Sequence, residues 1–81
     1  MEAGHYVPKA QHQLPPAKTE FPTTEEKTTF VTQYLDIITK ATTHADNQYN
    51  RYLFAEAYAE YLVACEGVMA LIKITLDDPN F

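Results

Sequence analysis

Residues 52–73, YLFAEAYAEYLVACEGVMALIK, decide how this chain folds. Wound as a helix at about 100° per residue, the segment is apolar on nearly every side. Two adjacent seams run along it at alternating four- and three-residue steps. One is built from large side chains: Phe54, Tyr58, Tyr61, Cys65, Val68 and Ile72. The other is mostly small in its middle: Leu53, Ala57, Glu60, Ala64, Gly67 and Leu71. A large seam suits packing into a helix of the same chain, whereas a small one lets a second backbone approach closely. Beyond Tyr61 the remaining face also turns apolar, through Leu62, Val63, Met69 and Ala70. One neighbouring helix can cover only one side, so the rest is expected to meet another chain.

The neighbouring helix lies upstream. In PTTEEKTTF, Thr23 is placed as an N-cap with Glu26 three residues on, and Glu25 and Glu26 suit the positive end of the helix dipole. From there Phe30, Val31, Tyr34, Leu35, Ile38 and Ala41 fall with Ile37 on one arc, roughly 160° wide. Asp36 and Lys40 can pair across one turn on the opposite side. No Gly or Pro occurs between Thr23 and Glu66, so a single long rod has to be weighed. Its two halves would bury faces roughly 160° apart. A reversal within TTHADNQ, with Thr43 or Asp46 capping the next helix, removes that conflict. The expected fold is all-α: a two-helix antiparallel hairpin over residues 23–76. Its short helix is placed at about 24–43 and its long helix at about 46–73, with completion by other chains. LIKITL alternates from Ile72 onward and could leave the helix as a strand. Residues 77–81, DDPNF, form a tail that leaves Phe81 as a terminal plug.

Residues 1–22 hold four of the five prolines, Pro8, Pro15, Pro16 and Pro22, and show no period. Such a segment reads as an extended arm. Tyr6, Val7, Leu14 and Phe21 are spaced along it as anchors for laying it over a neighbour.

Length and composition narrow the function. Without the arm roughly 60 residues remain, a size at which a lone core is marginal and association is a usual remedy. Cys65 is the only cysteine, so no disulfide can form within the chain. Six Lys and Arg stand against eleven Asp and Glu, for a net charge of −5. The basic residues are scattered, which argues against direct nucleic-acid binding. MEAGHYVPKA has no apolar signal core, and LVACEGVMALIKITL is too short for a bilayer. The chain is expected to be intracellular and soluble or incorporated in a virion, without a membrane span or a secretion signal.

Chemistry is sparse. Serine is absent, and Cys65 in an apolar seam beside Glu66 reads as a structural core residue rather than a nucleophile. Glu56 and Glu60 lie one turn apart but lack the Glu-x-x-His spacing of di-iron bundles. His5, His12 and His44 do not form a metal-ligand spacing. Gly67 costs a helix about 1 kcal/mol against Ala, which close helix contact would justify. If the small seam is an interface, Glu60 within it needs a basic partner, for which Arg51 or Lys73 of a neighbour are candidates. Tyr49 and Tyr52 read as interface residues, while Tyr58 and Tyr61 suit core or interface equally.

No catalytic, cofactor or metal residues are expected. The expected protein interface comprises Tyr6, Leu14 and Phe21 of the arm, with Tyr49 and Tyr52 near the turn. On the second helix it comprises Ala57, Glu60, Leu62, Val63, Ala64, Gly67, Met69 and Leu71, with Phe81 at the end. Function is expected to be that of a non-enzymatic structural subunit, by analogy a small virion or phage protein, as homo-oligomer or part of a hetero-assembly. The alternative is a small acidic inhibitor or adaptor docking on a basic enzyme surface.

Overall fold

The computed structural model describes residues 9–77. Tyr6 and Val7, expected as arm anchors, and Phe81, expected as a terminal plug, lie outside that range, as does His5. Two helices are present and, among the described residues, no strand: α1 from Thr24 to Asn50 and α2 from Phe54 to Asp77. They pack against each other as a hairpin. Thr23 caps α1, accepting the Glu26 amide on its hydroxyl at 3.1 Å, with Glu25 and Glu26 in the first turn. Asp36 and Lys40 pair at 3.0 Å.

The reversal falls later than TTHADNQ. Residues 42–48 stay helical, so α1, at 27 residues, is the longer helix and α2 has 24. Neither Thr43 nor Asp46 caps α2, which starts directly after Leu53 with the Ala57 amide donating to the Leu53 carbonyl. What stops α1 is backbone geometry. Tyr52 adopts φ 64°, the left-handed conformation that closes a Schellman motif. The Leu53 amide donates to the Gln48 carbonyl at 2.9 Å and the Tyr52 amide to the Tyr49 carbonyl at 3.0 Å. With no glycine or asparagine at that position, nothing in the sequence marks it.

The strand considered after Ile72 does not form either. Ile74 is buried with Phe30 and Tyr34 in the main apolar cluster, which holds the last turns of α2 in helix. The Thr75 hydroxyl also bonds back to the Leu71 carbonyl at 3.0 Å, the usual accommodation of threonine inside a helix.

The two seams of α2 are used in the reverse of the expected way. Ala57, Glu60, Ala64 and Gly67 are buried, and Gly67 lies directly under Ile38 of α1. The large seam faces outward: Phe54, Tyr58, Cys65, Val68 and Ile72 are all exposed. Small side chains win the inner position because the hairpin must admit a third layer. Residues 9–23, without helix or strand, lie along the groove between the helices. Leu14 and Phe21 pack on the Phe30–Tyr34–Ile74 cluster, and the Phe21 and Phe30 ring centroids are 5.1 Å apart. The Tyr34 hydroxyl, deep under this strap, donates to the Pro15 carbonyl at 2.5 Å.

Candidate functional site

Glu60 is the most buried charged residue, 1% exposed. An ionised carboxylate in that position requires compensation. The compensation comes from two other segments of the same chain, the arm and α1, so no Arg51 or Lys73 of a neighbour is required. The Gln11 amide donates to Oε2 at 2.7 Å, and His12 Nδ1 lies 3.1 Å from Oε1. His44 Nε2 lies 3.8 Å from Oε2, and the two imidazoles meet edge to face with centroids 5.7 Å apart. The arm, α1 and α2 are thus pinned at one point. His44 reaches it because α1 continues past the expected turn, which turns residue 44 onto the inner face beside Ala41 and Ala45.

This constellation binds the chain to itself. Both carboxylate oxygens are engaged, and the small seam that Glu60 belongs to is filled by α1 and the arm. Among the described residues no group of three or more His, Cys, Asp or Glu side chains is disposed to hold a metal ion.

A second surface is open. On the flank away from the arm, two shallow apolar clefts adjoin. One, of about 320 Å³, lies among Leu35, Ile38, Leu71, Ile72 and Leu76. The other, of about 430 Å³, lies among Ile38, Thr42, Tyr61, Cys65 and Met69. Val68 lines both. None of the described residues lining either cleft is charged. Tyr61 is anchored at the rim, its hydroxyl donating to the Asp46 carboxylate. That bond to an anion pushes the Tyr61 hydroxyl above the ordinary tyrosine value, with burial adding to the effect. Burial alone does the same to Tyr34.

The residues singled out from sequence separate accordingly. Leu14, Phe21, Ala57, Glu60, Ala64 and Gly67 are engaged inside the chain, and Val63 is half-buried. Leu71 is half-buried between the core and the open flank. Leu62 and Met69 are exposed. Tyr49 and Tyr52 are exposed beside the turn, each edge-on to the Phe54 ring. Cys65 is not a core residue but exposed within the second cleft, because its seam faces outward. Leu35, Ile38, Val68, Ile72 and Leu76 were not assigned to an interface from sequence. The first four belong to arcs read as core; Leu35, Val68 and Ile72 are exposed, while Ile38 is half-buried against Gly67 and borders both clefts.

No family model, curated protein or solved structure matches the chain. No helix among the described residues is long and apolar enough to cross a membrane.

Proposed function

We propose that this chain is a non-enzymatic structural subunit of a larger protein assembly, held there by the open apolar flank of its helix pair. One observation carries the reading: Leu35, Val68, Met69, Ile72 and Leu76 are 44–77% exposed along the clefts. Contiguous apolar surface of this kind is characteristic of protein contacts. The non-enzymatic part rests on chemistry. Serine is absent, the lone thiol sits among apolar neighbours, and the buried carboxylate is already engaged by Gln11 and His12. A protein partner is preferred to nucleic acid because acids outnumber bases eleven to six. The virion or phage setting rests on architectural analogy.

The acidic-adaptor alternative places the contact on charged surface, and salt separates the two. An assembly held by the apolar flank persists at high ionic strength, whereas a charge-held complex dissociates. The test is the mass of the native complex containing the chain, measured at low and high salt, beside incorporation of a Val68→Asp variant whose helical signal is intact. Retention in high salt and loss of the variant are expected. Release by salt, or equal incorporation of the variant, would overturn the reading.

A further inference from the structure

We infer that the occupant of the open flank is a second copy of this chain, paired with it face to face about a two-fold axis. This rests on the reading of the flank as a docking surface and names what docks there.

Three features point to a copy. The first is area. Leu35, Phe54, Tyr58, Met69, Ile72 and Leu76 are 51–77% exposed, and with Val68 they present roughly 800 Å², the share one partner gives to a standard interface. The second is charge. Each copy carries −5, yet among the described residues no acidic or basic side chain lines either cleft. Two copies therefore meet across the clefts without opposing like charges, and salt screens exposed acids such as Asp36 and Glu66. The acid at the rim, Asp46, is already engaged by the Tyr61 hydroxyl, and self-pairing interfaces are the more apolar class. The third is shape. An isologous contact requires one surface to supply both knobs and holes. Here Met69 and Leu76, 68% and 77% exposed, stand beside the two clefts.

Residues 9–22 of the arm lie in the other groove, so pairing needs no rearrangement of the Glu60 clasp.

Sedimentation of the full chain across two decades of concentration tests the inference, with Val68→Asp and Leu35→Asp on the flank and Gln33→Glu off it. A reversible dimer is expected that survives high salt, disappears in both flank variants with helical circular dichroism retained, and persists in the control. A flank variant that fails to fold would be uninformative, so the unmodified chain supplies a second measurement. Cys65 lies inside the contact, so its alkylation by a maleimide should be slow in concentrated solution and rise several-fold on dilution. A monomer at every concentration, a dimer indifferent to both flank variants, or a concentration-independent Cys65 rate overturns the inference. In the monomer case a hydrophobic dye distinguishes two failures. Dye binding lost in Val68→Asp leaves the flank as a docking surface for a different protein, whereas no dye binding removes the docking reading too.

Discussion

A β-carbon added to Gly67 would stand 2.6 Å from Ile38 Cγ1 and 2.9 Å from Ile38 Cδ1, with Leu14 Cδ2 at 3.4 Å. Ile38 Cγ1 is the inner atom of a β-branched side chain, so α1 must yield there, while Leu14 stays at ordinary contact distance. Alanine gains about 1 kcal/mol of helix propensity, while overpacking costs typically about 1–3 kcal/mol. Gly67→Ala is expected to be destabilising by about 1 kcal/mol net, read as a lower urea midpoint. Gly67→Leu should unfold the hairpin rather than merely block assembly, because the close approach is within the chain. Glu60 is the other decisive residue. Glu60→Ala strips the acceptor from the Gln11 amide and from His12, at a cost of about 1–3 kcal/mol. Faster proteolytic cleavage at the Lys9 and Lys18 peptide bonds would report loosening of the arm. Wild-type cleavage rates would contradict the clasp. Neither contact was legible as such. Gly67 was marked as a place of close approach, but the approaching group is Ile38, and His12 and Glu60 lie 48 positions apart. Periodicity does not see that distance.

At the scale of elements, the start of α1 and the existence of a hairpin could be read from Thr23, Glu26 and the clash of phases. The turn could not. Tyr52 takes a conformation that usually calls for glycine and costs other residues roughly 1–2 kcal/mol. Tyr52→Gly should therefore stabilise the chain by about 1 kcal/mol, seen as a raised denaturation midpoint with unchanged helix content. A lowered midpoint would mean that the ring contact with Phe54 outweighs the backbone strain. Which seam of α2 turns inward also escaped the sequence, since both have the same period and only the arm decides between them. The contact of arm and α1 carries its own pH signature. The Tyr34 hydroxyl, pushed above the usual tyrosine value by burial, stays protonated in the fold where the unfolded chain ionises near pH 10. The unfolded state then holds fewer protons, so this stability is complete below about pH 10 and is lost as pH rises through the folded value. Tyr34→Phe should flatten that alkaline fall. It should also lose about 1 kcal/mol at neutral pH with the bond to Pro15. An unaltered alkaline profile would sink this assignment.

For the molecule as a whole, the helix pair is covered on one side by residues 9–23 and open along the two clefts on the other. The chain exposes 6105 Å², against roughly 4,900 Å² expected of a folded monomer of its mass. The exposed side chains of residues 9–23 and of the open flank are part of that area. The arm is needed for the hairpin itself, since it covers Phe30, Tyr34 and Ile74 and satisfies Glu60. Deleting residues 1–20 should thus lower helical content and promote aggregation. Full helicity in the truncated chain would show that the hairpin stands alone. The sequence places a surplus of apolar circumference on residues 52–73, whereas the exposed flank also takes in Leu35 of α1 and Leu76, and periodicity does not say which part of that circumference the chain keeps for itself.

The strap and the bare flank occupy different grooves of one helix pair. Any event that peels the strap away, such as a protease nick near Lys18, would give the same unit a second adhesive side. A unit sticky on one side stops at a pair, whereas one sticky on both can be added to without limit. The Glu60 clasp would in that case act as the molecule's safeguard against runaway growth.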